Sequence, residues 1–592
     1  MRFLLDPLID AIKHLYIVKN LPDYFDEEER RLVLQSVIIG VVVWAIVFLL
    51  KTLVHWAFET TLHWLEGVHL LFVFVPLLLG ALVTAVIIQF RPTTLYYRDK
   101  ADHIHELIDA EGDGLERAIS LYYTSEPNFE QALTGQEGVD VRWQLPTFSL
   151  AIRKFLATLV TLGSGGSGGL EASVTLIGES VAAGLFKPRQ IVARADKHVG
   201  WIGRLWNWWQ SEDPDDLQTA QLSGIAAAVA VLLGAPFAAA FFATEVMYRN
   251  RPIIEKLVYS LISALVAFFL TDIFTEGHTA IFEVESRLLP PSTLRYYSVL
   301  VLVAFVISLV SVYFGRLRTS FETSFHYSQP NPWQRHMLGA AFTAVVAITL
   351  AFATHYFGLT EHGLELVLGP GEEAIHMALA GELTVTVAFI ALFAKMIATL
   401  ATIGSGGSAG LLVPSLFFGT MVASAFATLF GYDPQMLIIP AMTATLASIV
   451  NVPLAAILFT VEVFGSIYMV PSLVALVITS ILAHDNTVYR TQREAMNKRQ
   501  ILPGASVRRI PIPAKWANQT LIDLDFRRRF DLNVIGLVEQ EGEDGRPHVR
   551  LGSAATVILQ QGDILVVLGQ DEHLDALETA VKATQDDEAI EE

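Results

Sequence analysis

The sequence predicts a polytopic α-helical membrane protein made of two repeated halves with broken helices, followed by a small α+β domain. Three observations predict it: long apolar runs without charge, a Gly/Ser-rich stretch that occurs twice among them, and a change of composition from Pro503. Of the 592 residues, 53% are hydrophobic and 17% charged, where soluble proteins carry about 25% charged residues. Residues 32–50, 67–90, 218–244 and 337–354 hold no Asp, Glu, Lys or Arg, and from Met396 to His484 only Asp433 and Glu462 do. Apolar segments of about 20 residues are long enough to cross a bilayer as helices.

The first 31 residues mix apolar and charged positions, as in "LLDPLIDAIKHLYIVKNL", which predicts an amphipathic helix on the cytoplasmic membrane face. No short apolar segment with a small-residue cleavage site precedes the first span, so that span is expected to direct insertion. The membrane part runs over residues 32–500. Its last span is followed by the basic "RTQREAMNKR", which places that end in the cytoplasm. The expected location is the cell (inner) membrane, with both termini cytoplasmic. Tryptophans such as those of "WIGRLWNWW", residues 201–209, read as interfacial anchors.

Residues 503–585 change to short alternating strands, Gly-Asp turns and two amphipathic helices, a small regulatory α+β domain. Residues 586–592 form an acidic tail. The formal charge of −20 argues against nucleic acid as a partner. The absence of cysteine excludes disulfides and thiolate chemistry. There is no His-Glu-x-x-His, Gly-x-Ser-x-Gly or histidine cluster, so neither an enzyme nor a metal or other cofactor is expected.

The internal repeat carries the functional argument. "TLGSGGSGGLEASVTLIGESVAAG" (161–184) recurs as "TIGSGGSAGLLVPSLFFGTMVASA" (402–425), and "GAPFAAAFFATEV" (234–246) as "NVPLAAILFTVEV" (451–463). Repeated halves are common in transporters, with the substrate site at their interface. Non-helical backbone is tolerated at membrane depth only where it is buried in protein or lines a polar cavity. Glycines let backbone N–H groups approach a ligand, and each restarting helix offers free N–H groups and a positive dipole end. Two such ends converging make an anion cradle. Close helix packing is the plainer use of small residues, but it gives Glu171 no role. A cation filter of the Thr-x-Gly-x-Gly kind is a further alternative, although such a pore needs four loops.

With these motifs the membrane part resembles the CLC family of chloride channels and proton/chloride exchangers. The family's Gly-Arg-Glu-Gly-Pro motif matches "GLEAS": Gly169, Leu170, Glu171, Ala172 and Ser173. Its Gly-x-Phe-x-Pro motif matches "GLLVP": Gly410, Leu411, Leu412, Val413 and Pro414. Its Gly-Ser-Gly-Ile-Pro motif has its best counterpart in "GDGLE", with Gly112, Asp113 and Gly114, and the tyrosine of its last helix matches Tyr489. The C-terminal segment resembles the TrkA-C (RCK-C) domain through "LIDLDFRRRFDLNVIGL" and "LQQGDILVVLGQDEHLDAL". The resemblance implies a homodimer of inverted-repeat subunits, each passing chloride as a channel or a proton-coupled antiporter. It implies Glu171 as the gate and the other matched residues as the anion site. It also implies a possible small-molecule ligand for the C-terminal domain.

The departures are specific. Leu170 replaces the family's arginine, Ala172-Ser173 its Gly-Pro pair and Leu412 its phenylalanine, while Val246 stands where coupled members carry an intracellular glutamate. Glu245 and Glu462, at equivalent repeat positions, read as structural acids satisfied by backbone or hydroxyl groups. Asp113 replaces a serine that donates to the anion. Its plain reading is a helix N-cap in hydrophilic, water-exposed sequence. At the anion site, an ionised carboxylate would repel chloride by about 4 kcal/mol at ~4 Å and an effective dielectric near ~20. The O–H of bicarbonate can instead donate to it, which makes bicarbonate or another protonated oxyanion the alternative substrate.

Overall fold

The computed structural model describes residues 27–90, 92, 94–98, 104–108, 110–123, 147–186, 209, 214–247, 254–277, 281–282, 288–328, 331–483, 487–489, 499–502, 505–539, 548–551, 556–561, 563–570 and 572–581. The expected amphipathic N-terminal helix up to residue 26, residues 201–208 of the tryptophan cluster, most of the basic run after the last span and the acidic tail lie outside the described residues. The chain divides into two compact units, which part between residues 489 and 499.

The first unit begins with α1 (Glu27–Glu66), α2 (Phe74–Gln89) and an antiparallel hairpin of β1 (Thr94–Arg98) and β2 (Ile104–Ile108). Then come α3 (Gly114–Tyr123), α4 (Thr147–Gly163), α5 (Glu171–Phe186), α6 (Pro214–Leu233), α7 (Pro236–Glu245) and α8 (Ile254–Phe274). The second half contains α9 (Leu294–Ser328), α10 (Pro332–Tyr356), α11 (Glu372–Leu379), α12 (Val385–Gly404), α13 (Leu412–Phe430), α14 (Pro434–Thr445), α15 (Pro453–Phe464) and α16 (Met469–Leu482). Among the described residues, eight helices are long and apolar enough to cross a membrane. The protein is therefore a multi-span membrane protein.

Helix α6 is wholly enclosed, packed on α1, α5 and α8. The outer helices turn large apolar side chains outward, among them Trp56, Val86, Phe269 and Phe352. Water would penalise that surface, whereas lipid does not.

The duplicated Gly/Ser stretch breaks two helices, as its composition predicts. Helix α4 stops at Gly163, the chain runs without helix over 164–170, and α5 restarts at Glu171; α12 stops at Gly404 and α13 restarts at Leu412. Each break turns on a glycine in left-handed backbone, Gly165 at φ 97° and Gly406 at φ 113°. A Cβ makes such a conformation costly.

In the second unit the strands β3 (Arg499–Leu502), β4 (Ala505–Pro511), β5 (Asn533–Glu539), β6 (His548–Leu551) and β7 (Ile564–Gln570) form one antiparallel sheet, ordered β3-β4-β7-β5-β6. Its core joins Leu565 and Val567 of β7 to Trp516, Phe526 and to Leu574 and Leu577 of a helix at residues 572–581. The buried Arg508 of β4 pairs with Asp575 at 2.7 Å and Glu578 at 3.1 Å on that helix. This is the α+β domain the alternating pattern predicts.

Candidate functional site

The two breaks meet. Gly169 N–H donates to Gly410 O at 2.8 Å, and Gly410 N–H donates to Gly169 O at 2.6 Å, an antiparallel bridge between the halves. The bonds around it are exchanged in the same reciprocal way. Ser167 N–H donates to Thr402 Oγ1 at 3.2 Å, and Ser408 N–H to Thr161 Oγ1 at 3.3 Å. Ser167 Oγ lies 3.0 Å from Thr399 Oγ1, and Ser408 Oγ 2.9 Å from Thr158 Oγ1. Each half thus satisfies polar groups that the other half buries, as membrane-depth backbone requires.

A further pair of turns completes the scaffold. Gly112 N–H donates to Gly406 O at 3.3 Å, and Gly369 N–H to Gly165 O at 3.4 Å. The carbonyls of these turns are buried, and a lysine serves each. Lys154 Nζ donates to Gly112 O at 2.7 Å and Ala110 O at 3.4 Å. Lys395 Nζ donates to Gly369 O at 2.7 Å, Val367 O at 3.1 Å and Leu368 O at 3.4 Å. An ammonium group carries three donors and no acceptor, which suits a cluster of carbonyls.

Two buried carboxylates converge on the start of α13. Glu171 Oε2 accepts from Val413 N–H at 3.4 Å. Asp113 Oδ1 accepts from Leu115 N–H at 2.9 Å and Glu116 N–H at 3.3 Å, while Oδ2 accepts from Leu411 N–H at 3.1 Å. Asp113 is therefore the N-cap of α3, but not in water: it is 0% exposed. The hydrophilic sequence around it misled, because its charges are consumed inside the protein. Glu116 pairs with Arg318 at 2.6 Å, Glu111 pairs with Arg335, and Arg117 Nη1 donates to Asp113 O at 3.0 Å.

The remaining predicted positions surround these two acids. Gly114 lies so close to the Ala172 carbonyl that a Cβ would collide with it. Leu170, Ala172 and Leu412 are buried, and Leu170 O accepts from Val174 N–H at 3.0 Å. Tyr489 is also buried, with the Arg318 guanidinium 6.0 Å from its ring centre. Its hydroxyl has no hydrogen-bond partner among the described residues.

Glu245 and Glu462 are structural, and reciprocally so. Glu462 accepts from Phe237 and Ala238 N–H at 2.9 and 2.7 Å, at the start of α7. Glu245 accepts from Leu454 and Ala455 N–H at 3.1 and 3.0 Å, at the start of α15. Each acid closes the N-terminus of the helix that bears the other. Val246, beside Glu245, is buried.

Sequence reasoning missed Lys154, Lys395, the turn Gly369-Pro370-Gly371, and Arg318. The 241-residue offset of the Gly/Ser loops also relates Lys154 to Lys395, Thr158 to Thr399 and Thr161 to Thr402. Extending the repeat upstream finds them. Arg318 has no such signal.

Two broken helices thus meet at Gly169 and Gly410, and backbone N–H groups at the second break, those of Leu411 and Val413, hold two buried carboxylates. A cation filter presents carbonyl oxygens instead. Residues 118–484 match the family described as voltage gated chloride channel, and residues 506–582 match the TrkA-C domain. The chain belongs to the voltage gated chloride channel family and carries a C-terminal TrkA-C domain. It is 24% identical over 355 residues to the voltage-gated ClC-type chloride channel ClcB of Citrobacter koseri, covering 58% of this chain and 76% of that protein. It is 24% identical over 295 residues to the chloride/fluoride channel protein of Pseudomonas syringae pv. tomato, covering 48% of this chain and 60% of that protein. Its fold is shared by a CLC-type fluoride/proton antiporter, with TM-score 0.55, 18% identity, and coverage of 81% of this chain and 100% of that one. A slow cyanobacterial Cl-/H+ antiporter aligns at TM-score 0.54 and 18% identity, over 78% and 96% of the two chains.

Proposed function

We propose that this protein moves small inorganic anions across a membrane, through a path that passes the crossing of the two broken helices, with Glu171 as its gate. One observation carries the reading: the Glu171 carboxylate is 1% exposed and rests on the Val413 N–H, at the positive end of α13. A carboxylate there occupies the place of an anion, and it gives the place up when protonated. Intramembrane acids are functional by default because their burial is costly. Gly112, Gly114, Gly169, Leu170, Ala172, Gly410, Leu411, Leu412 and Val413 shape the cradle, with Asp113 and Tyr489 beside it.

Family membership makes chloride the first anion to test. Val246 in place of an acid favours passage without tight proton coupling. The apolar outer surface suits a homodimer in the cell (inner) membrane with cytoplasmic termini. The TrkA-C domain then modulates transport, with or without a small-molecule ligand.

Chloride efflux from liposomes containing the purified protein, read with a chloride-selective electrode, tests the gate. Wild-type efflux should rise on acidification. Glu171→Gln should remain open at both acid and neutral pH, and an unchanged pH profile in that variant would remove Glu171 from the gate. Deleting residues 503–592 should leave anion selectivity intact; altered selectivity would mean that the domain shapes the path.

A further inference from the structure

We propose that Asp113 makes the site selective for anions that carry their own proton, with hydrogencarbonate as the representative, over halides. The inference rests on the anion-transport reading above and specifies its substrate class.

Three observations carry it. First, Asp113 does more than cap α3. Its Oδ1 alone meets both N–H groups at the helix start, and Oδ2 reaches across to the other half, to Leu411 N–H at 3.1 Å. Capping does not require that second bond.

Second, the nearby cations are engaged by other groups. Arg318 donates to Glu116, Glu322 and the Val488 carbonyl; Lys154 donates to the carbonyls of Ala110 and Gly112; Arg117 donates to the Asp113 carbonyl. Among the described residues the Asp113 carboxylate has hydrogen bonds but no ion-pair partner. Its charge therefore faces the cradle without being cancelled by a direct contact.

Third, the Tyr489 hydroxyl is buried and has no partner among the described residues, and its ring lies 6.0 Å from the guanidinium of Arg318, which pairs with Glu116 in the turn that Asp113 caps. A buried hydroxyl without a partner is costly, so Tyr489 has a donor to offer a bound anion.

These features suit one kind of guest. A halide only accepts hydrogen bonds, so beside Asp113 it gains the Tyr489 donor and meets a carboxylate that has no direct ion-pair partner among the described residues. Hydrogencarbonate has both functions. Its O–H donates to an Asp113 oxygen, and its remaining oxygens accept from Tyr489 Oη–H and the N–H groups that Glu171 vacates. A hydrogen bond to an ionised acceptor is of the strong, charge-assisted kind. Losing it should shift selectivity by about tenfold to a hundredfold. The serine that the resemblance places at this position in other family members donates to a halide instead.

The test is the relative permeability of hydrogencarbonate and chloride, from reversal potentials of the full-length protein in planar bilayers at pH 7.5 under bi-ionic gradients. Dissolved CO2 crosses lipid without carrying current, and perfusing both strongly buffered chambers keeps its rehydration from changing the hydrogencarbonate gradient. Wild type should favour hydrogencarbonate. Asp113→Ser should shift the ratio toward chloride by about tenfold or more. Asp113→Asn removes the charge and keeps the N-cap oxygen while giving up the Leu411 N–H bond, so it should shift the ratio in the same direction, with a melting temperature measured alongside to confirm that the variant is folded.

A wild-type preference for chloride, or an unchanged ratio in Asp113→Asn, overturns the proposal and leaves Asp113 as a cap. Failure of the underlying transport reading looks different: neither anion would then carry current, in wild type or in Glu171→Gln.

Discussion

The two helix breaks share backbone, glycines and polar bonds, yet α5 begins with Glu171 and α13 with Leu412. The first break supplies a carboxylate, and the second supplies the N–H groups of Leu411 and Val413 that hold Asp113 and Glu171. The two breaks therefore share one scaffold and differ in what they present: an acid at the first, and backbone N–H groups that hold acids at the second.

The largest effect should come from the turns themselves. A Cβ on Gly165 meets Leu368 and Leu77 at ordinary distances, while a Cβ on Gly406 collides with the Glu111 carboxylate that pairs with Arg335. Gly165→Ala should cost the backbone strain alone, about 1–2 kcal/mol. Gly406→Ala should add the disruption of a buried ion pair, about 3–5 kcal/mol. Thermal unfolding in detergent compares the two, and equal losses would mean the breaks are energetically equivalent.

Making the first break chemically like the second is the next test. Glu171→Leu removes the acid that competes for the Val413 N–H, a charge-assisted bond of about 1.5–3 kcal/mol. Chloride flux at neutral pH should rise about tenfold or more and lose its dependence on pH. A flux that stays low until acidification would place the gate elsewhere.

Glu245 and Glu462 sharpen the comparison in the opposite direction, because here the halves are alike. Glu245→Ala and Glu462→Ala each leave two N–H groups without their acceptor, so each should destabilise by about 1–3 kcal/mol. Similar losses with anion selectivity unchanged are expected. A selectivity change in one alone would show that this pair, too, has diverged.

The smallest effect lies in the connections. The first half reaches α3 through the β1–β2 hairpin, and the second reaches α11 through a loop in which His362 Nδ1 is 3.1 Å from Glu365 Oε1. That hydrogen bond raises the His362 pKa above its ordinary value. A raised folded-state pKa stabilises below the unfolded value, and the stabilisation fades as pH rises through the folded one. The pair is solvent-exposed, so its worth is about 0–1 kcal/mol. His362→Gln should lower the melting temperature slightly near pH 6 and leave it unchanged near pH 9; the reverse order would contradict the pairing.

Much of this was legible in the sequence. Spans and helix breaks follow from local rules: apolar length sets the spans, and seven flexible residues in an apolar run have to break a helix. The 241-residue offset revealed that the breaks come in a pair, and Glu171 stands where the first broken helix restarts. The sequence also established the cap at Asp113, because a cap concerns only the next few residues. Tertiary structure decided what Asp113 touches. Its burial depends on Arg318, Arg335 and Lys154, which lie from 41 to more than 200 positions away, and no local hydrophilicity distinguishes a water-exposed loop from one whose charges are paired inside. The same limit hid the exchange between Glu245 and Glu462, whose partner N–H groups lie more than 200 residues off. Local sequence sets where a helix stops, but which charge comes to rest on its end depends on contacts that only the folded chain brings together.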